Sequence, residues 1–190
     1  MTDEPTVVTL DVDQAELARN PTRTRVWAPI GVPWEVETPG NHQQQPIFGA
    51  VNTKTGETHF ALKPHQRSQD LQEFLDREIL PHDADADFLF ITVDGSSIDQ
   101  SKSTKEWLKS HPQIIFVPLP SDALKRNVQE LLWRWMRAEV THNHCFGSFA
   151  ALIDAAKRFF AKLASQPQEV LQRIGRAFPS LLEHDLAAIP

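Results

Sequence analysis

The chain has 190 residues, 41% of them hydrophobic and 23% charged; this suits one well-buried domain, is too little for two of ordinary size, and excludes a disordered chain. A single cysteine, Cys145, excludes an internal disulfide framework, the opening MTDEPTVVTL has no signal-peptide core, and the longest apolar run, residues 88–93, is far too short to cross a bilayer. The formal net charge of -6 speaks against a simple nucleic-acid-coating protein, and the expectation is a cytoplasmic protein with no membrane partner.

Residues 6–13, TVVTLDVD, alternate and are rich in β-branched side chains, the pattern of a strand with acids at its far end. Residues 19–33 are broken by three prolines and read as an extended loop. Residues 46–52 and 58–63 are β-type runs joined at Thr53-Lys-Thr-Gly56, a good hairpin turn. After Ser68, a candidate cap, Leu71, Phe74, Leu75 and Ile79 recur at helical spacing until Pro81. FLFITV, residues 88–93, lies between an acidic loop and Asp94-Gly95 and predicts a strand buried on both faces. A short helix over 103–110 and a strand over 114–117 follow. From Asn127 the chain reads helical almost to its end. Its apolar faces are marked by Leu131, Leu132, Trp135 and Val140, then by residues 150–163, then by Leu171, Ile174 and Phe178. This order predicts a single α/β domain over residues 1–190, a mixed central sheet with helices on both faces.

Three acids stand out in that layout. Asp13 closes the first predicted strand, Asp94 closes the buried one, and Glu130 falls in the first turn of the helix after the last strand. Functional groups of open α/β sheets gather beyond the carboxyl ends of strands. Two carboxylates there, with a third from a helix, suit a pair of hard divalent cations. Phosphodiester cleavage uses such metals to activate the attacking oxygen and stabilise the leaving one. Mg²⁺ prefers oxygen ligands and keeps several waters, so few protein ligands are needed. Acids in these places equally cap loops or sit in solvated turns. The charge is uneven: residues 1–100 hold 7 Lys and Arg against 17 acids, and residues 101–190 hold 12 against 8. An acidic metal-holding core beside a basic face has this split, and so does a chain with one acidic loop at residues 83–87.

Three stretches together resemble the endonuclease domain of the insertion sequence 630 family, the bacterial branch of the mariner superfamily of transposases. The first is Asp13-Gln-Ala-Glu-Leu with Asn20-Pro21 and Arg25-Val-Trp27-Ala28-Pro29-Ile-Gly31. It is similar to a family strand ending Asp-Glu, a proline eight residues on, and Arg-Thr-Trp-Ala-Pro-x-Gly. The second is FLFITVDGSSIDQSK, residues 88–102, followed by Glu106-Trp-Leu. It is similar to an apolar strand, Asp-Asn, and a Ser/Lys pair before a Trp-Leu helix. The third runs over residues 116–143, where Leu119-Pro120, Asn127, Glu130, Trp133-Arg-Trp-Met-Arg137 and Thr141-His-Asn143 match. The resemblance covers nearly the whole chain.

The resemblance implies a ribonuclease H-like fold and a DNA transposase catalytic domain that cleaves phosphodiesters and transfers strands. It carries the catalytic, metal-holding acids onto Asp13, Asp94 and Glu130, with two Mg²⁺ or Mn²⁺ ions as cofactors. It also implies DNA partners, both transposon ends and target, a homodimer in the active complex, and a place on the nucleoid. Arg23, Arg25, Lys102, Arg134 and Arg137 are the candidate DNA-facing cations. The family's N-terminal helix-turn-helix region is expected to be absent here, as in a split-gene product with a separate recognition chain or a truncated remnant. The departures are specific. The family's Asp-Glu is Asp13-Gln14, its Asp-Asn is Asp94-Gly95, its histidine is Asp99, and Ala123-Leu-Lys-Arg-Asn-Val-Gln-Glu130 lacks both prolines of the family's segment. Surrounding groups tune metal sites strongly, so these departures imply a weakened enzyme, or a decayed remnant acting as a DNA- or protein-binding module. A junction resolvase of the same fold fits less well, because of the Trp-Ala-Pro-x-Gly loop.

Four further features have two readings each. Asp11 shares its strand face with Asp13 and is an alternative ligand. His142-Asn-His144-Cys145 resembles part of a soft-metal site, but a structural zinc takes four ligands, and no partner pair is apparent. Trp133 and Trp135 amid Arg134 and Arg137 suit either a substrate strand or a buried helix face with solvated arginines. Arg23 and Arg25 suit phosphate contacts or plain loop exposure.

Overall fold

The computed structural model describes residues 4–31, 35–120 and 127–177. The stretch 123–126, used in the family comparison, and Phe178, expected on the last apolar helix face, lie outside the described residues. Among those described are five strands, β1 (Val7–Ala18), β2 (Gln44–Asn52), β3 (Thr58–Leu62), β4 (Phe88–Val93) and β5 (Ile114–Pro118). Five helices accompany them: α1 (Ser68–Phe74), α2 (Lys102–Lys109), α3 (Gln129–Met136), α4 (Phe149–Ala164) and α5 (Pro167–Ala177). The strands form one sheet in the order β3-β2-β1-β4-β5. β1 is antiparallel to β2 and parallel to β4, and β4 is parallel to β5. This is the mixed sheet of a ribonuclease H-like fold.

Alternation along β1 and β2 divides the core in two. Leu10 and Val12 of β1, Phe48 and Ala50 of β2, and Leu89, Ile91 and Val93 of β4 pack with Leu71 and Phe74 of α1; Trp107 and Leu108 of α2 lie against this layer. Leu17, Ile47 and Val51 point the other way, against Leu132, Trp133 and Trp135 of α3, Phe159 and Phe160 of α4, and Val170 and Ile174 of α5. Helices therefore cover both faces, as expected. β4 differs in detail from the predicted strand: Leu89, Ile91 and Val93 are buried, but Phe90 and Thr92 are only half-buried and Phe88 is exposed.

The element boundaries carry one correction that matters for function. The first strand does not end at Asp13. It continues to Ala18, because β2 pairs with it as far as Ala18↔Gln44. Its pairing with β4 stops at Asp11↔Thr92. Asp13 therefore lies inside β1 but just past the reach of β4. Smaller differences have local causes. Arg67, not Ser68, caps α1: its backbone N–H donates to Asp70 Oδ2 at 3.2 Å, while the Ser68 hydroxyl donates to Ser101 Oγ at 2.7 Å. Ser101 in turn caps α2, accepting from the Thr104 N–H at 3.0 Å. α1 widens into a π-helical turn at Leu75–Ile79 and α3 into another at Arg137–Thr141. The helical reading from Asn127 is broken by a loop over 142–148, where Asn143 takes a positive φ of 53°.

Asp11 links the sheet to α3. It is only 8% exposed, and burial raises its carboxyl above the ordinary range, opposed by Thr92 and the Val128 N–H. It accepts that N–H, at the start of α3, at 3.2 Å. This is an N-cap supplied from another element. Asp11→Ala leaves that N–H buried and unpaired, so the urea midpoint should fall by the equivalent of about 1–3 kcal/mol with an unchanged m-value. An unaltered midpoint would remove Asp11 from this role.

Candidate active site

The site grows from the register of the two central parallel strands. Asp11 and Thr92 are their last partners, and two residues further along each chain stand Asp13 and Asp94. Level residues of a parallel pair point to the same face. Asp11, Asp13, Thr92 and Asp94 thus share the face on which α3 packs. α3 carries Glu130 in its first turn and reaches Asp13 directly, since Trp133 Nε1 donates to Asp13 Oδ2 at 3.0 Å. Gly95, at φ 76°, makes the turn after β4 that non-glycine residues resist, and the Ser96 N–H then bonds Asp94 Oδ1 at 2.9 Å.

The acids feel one another. Burial lifts the Asp13 carboxyl from its ordinary 3.8 to about 6; Gln14 N–H and the Trp133 indole pull the other way, and the charges of Asp94 and Glu130 raise it further. Asp99, absent from the sequence-predicted set, joins the group. It is also pushed up to about 6, first by burial, then by its side-chain hydrogen bond with Asp94 and the Asp94 charge. Asp99 Oδ2 accepts from the Ser96 N–H at 3.1 Å and the Ser96 hydroxyl at 3.2 Å. The turn at Gly95 folds Asp99 back onto Asp94, and a glycine right after a strand-end acid is the signal that points to such a return.

Glu130 is turned to a cation of its own helix: Arg137 Nη2 bonds Glu130 Oε1 at 2.6 Å. Among the described residues, no three His, Cys, Asp or Glu side chains are gathered closely enough as they stand to hold a metal ion. Asp11 faces the start of α3 and Thr92, as described above.

The other predicted residues lie on several elements. Arg23 and Arg25 are exposed on the β1–β2 loop, and Lys102 and Arg134 are exposed on α2 and α3. Arg137 is taken up by Glu130. The DNA-facing reading of Trp133 and Trp135 is overturned: they are 1% and 2% exposed, because α3 turns its apolar side to the sheet and to α4. Among the described residues, the exposed tryptophan is Trp27, which stands wholly in solvent with Ile30. His142 Nδ1 pairs with Thr22 Oγ1 at 2.7 Å, and no soft-metal group is gathered among the described residues.

A mixed sheet covered on both faces, with acids drawn to one end of its central parallel pair beneath a helix bearing another, defines a ribonuclease H-like domain with an acidic site. The family described as DDE superfamily endonuclease matches residues 8–153, and the chain belongs to it. The chain is 26% identical over 157 residues to a protein of Shigella sonnei described as the insertion element IS630 uncharacterized 39 kDa protein, covering 82% of this chain and 45% of that one. The Mos1 mariner paired-end complex with Mg shares the fold at a TM-score of 0.61 and 12% identity, over 93% of this chain and 55% of that one. The catalytic domain of Mos1 mariner transposase shares it at 0.53 and 11% identity, over 91% and 81%. The chain thus spans less than half of the insertion-element protein, and 55% of the Mos1 chain in the complex.

Proposed function

We propose that this chain is the catalytic domain of a cut-and-paste transposase of the insertion sequence 630 and mariner kind, cleaving phosphodiesters of DNA and transferring strands with Asp13, Asp94 and Glu130. The observation that carries the reading is geometric: Asp13 in β1 and Asp94 just past the parallel β4 stand at one end of the sheet, on the face where α3 packs with Glu130 in its first turn and Trp133 bonded to Asp13. Their chemistry fits hard divalent cations: the donors are all oxygen, Asp13 and Asp94 are half-buried, and their repulsion is of the kind a shared cation relieves. Bound there, two Mg²⁺ or Mn²⁺ ions supply activation of the attacking oxygen and stabilisation of the leaving one. The chain's own part is to hold its oxygens ready. Trp133 fixes one oxygen of Asp13, Ser96 fixes one of Asp94, and Arg137 steadies Glu130. No side chain of the chain needs to act as a nucleophile.

The reading includes DNA as partner, a homodimer in the active complex, and a helix-turn-helix segment or separate chain that recognises the transposon ends. The exposed Trp27 and Ile30 on the long β1–β2 loop support a second protein surface covering them. Exposed Arg23, Arg25, Lys102 and Arg134 support phosphate contacts that carry no sequence information. The chain alone should therefore bind duplex DNA weakly and with little sequence preference. Its affinity should fall with salt at about 0.9 log unit per log unit of salt for each phosphate contacted. Tight, sequence-specific binding at physiological salt, read by fluorescence anisotropy, would put recognition within this chain.

Nicking of supercoiled plasmid with Mg²⁺, with Mn²⁺ and with EDTA tests the activity; the expected result is slow, metal-dependent nicking. A second reading, a decayed remnant, draws on the Glu130–Arg137 ion pair, which occupies an oxygen of the third acid. A folded chain that gives no nicking when supplied with a DNA-recognition partner selects that reading.

A further inference from the structure

The side chain that holds Asp13 is a tryptophan, and it is accommodated by a missing one. Asp13 on β1 stands opposite Gly49 on β2. Gly49 leaves a notch in the sheet at this point. A Cβ there would stand 2.7 Å from Trp133 Cη2, closer still to the Gln129 amide nitrogen, and 3.0 Å from Phe60 Cδ1. Real Cβ atoms do not approach so closely, so any larger residue makes the Trp133 ring and the Gln129 amide shift. The indole is 1% exposed and is held edge-on by Phe60, with ring centroids 5.7 Å apart, and by Phe160, at 6.4 Å. These contacts leave its N–H one direction, towards Asp13 Oδ2. Trp133 also lies one helical turn from Glu130, so the ring that orients the first acid sits on the helix that delivers the third.

Resting on the proposed metal chemistry, we infer that Trp133, seated in the notch left by Gly49, is a positioning residue. Its N–H holds one oxygen of Asp13 and so sets the direction in which the carboxylate would face a divalent cation shared with Asp94. The indole hydrogen bond does for a carboxylate ligand what outer partners do for metal-bound histidines: it fixes orientation before the ion arrives. A neutral donor suits the task. It orients the carboxylate without cancelling the charge that attracts the cation, as an arginine in its place would.

The test is the affinity of the full 190-residue chain for Mn²⁺, read by electron paramagnetic resonance of the free ion, with unfolding curves taken alongside. Four chains are compared: the natural one, Trp133 replaced by β-(3-benzothienyl)alanine, Gly49→Ala and Asp13→Asn. The benzothienyl ring keeps the shape of indole and lacks the N–H, so packing with Phe60 and Phe160 survives. It should weaken Mn²⁺ binding about 10–100-fold with an unfolding midpoint near that of the natural chain. Gly49→Ala should weaken binding in the same direction by displacing the Trp133 ring. Unchanged Mn²⁺ affinity in the benzothienyl chain, with binding lost in Asp13→Asn, overturns the positioning role and leaves the metal site standing. Unchanged affinity in Asp13→Asn overturns the metal site, and the positioning role falls with it.

Discussion

Asp94→Asn should reduce Mg²⁺- or Mn²⁺-dependent nicking by more than about 100-fold, since loss of a group that only supports a metal ligand already costs roughly 10–100-fold. The substitution suits the purpose because it changes charge and little else. An asparagine at 94 can still accept the Ser96 N–H through its carbonyl oxygen, and its amide can donate to the neighbouring Asp99 carboxyl. The fold should therefore persist, and the Gly95 turn with it. What disappears is a negative charge between Asp13 and Asp99, and with it an oxygen able to offset a divalent cation. Even the natural chain should be slow. Gln14 and Gly95 stand beside two of the acids where the resembled family has Glu and Asn. A displacement of about 1 Å in such a site costs on the order of 100-fold. The measurement is initial nicking rate of natural and variant chains under Mg²⁺, Mn²⁺ and EDTA. Equal rates for the two chains would point to a contaminating nuclease or another site.

The elements of this domain were legible where the pattern is local. FLFITV, the hairpin at Thr53-Lys-Thr-Gly56 and the apolar spacing of α4 state their own structure through composition and period. Gly56 has the positive φ of 77° its turn requires. The site was legible only as a set of acids. That Asp13 lies inside β1 depends on how far β2 continues beside it, from Asp13↔Gly49 to Ala18↔Gln44, a pairing with residues far along the chain, and nothing in TVVTLDVD encodes that distance. The notch at Gly49 is invisible without the register that sets it against Asp13 and beneath α3. Trp133 is ambiguous alone: an aromatic residue among arginines has the same spelling whether it faces DNA or the core. Leu132, Trp135 and Met136 around it are the better guide, because together they leave little of α3 for solvent except Arg134. Asp99 was read as a departure from a family histidine. In the fold it is a fourth carboxyl beside Asp94.

Asp13→Asn should make the metal-free chain more stable at neutral pH, while removing what binds the metal. The Asp13 carboxyl moves from an ordinary 3.8 to about 6 on folding, chiefly by burial, so the folded state binds its proton more readily than the unfolded state does. The sign follows. Below about pH 4 both states are protonated at this group and the full benefit is present. Between about pH 4 and pH 6 the unfolded chain ionises first and stability falls. Above about pH 6 both are ionised and the folded protein carries a buried charge. A shift of about two pKa units corresponds to roughly 3 kcal/mol, an upper bound for the gain at pH 7, because asparagine must still accept from the Trp133 N–H and satisfy its own amide. Asp99, raised for similar reasons, keeps a smaller slope of the same sign in the variant. Urea unfolding in EDTA at several pH values measures this, and a variant less stable than the natural chain at pH 7 would refute it. Divalent metal should then act in opposition. A ligand that binds only the folded state adds about 2.7 kcal/mol at one hundred times its dissociation constant, so Mn²⁺ should lift the natural chain towards or past the variant and leave the variant nearly unmoved. On the proposed metal chemistry, the cost of the bare carboxylates and their pull on a cation would share an origin: oxygens that Trp133, β1 and the Gly95 turn hold chiefly away from water and also near one another.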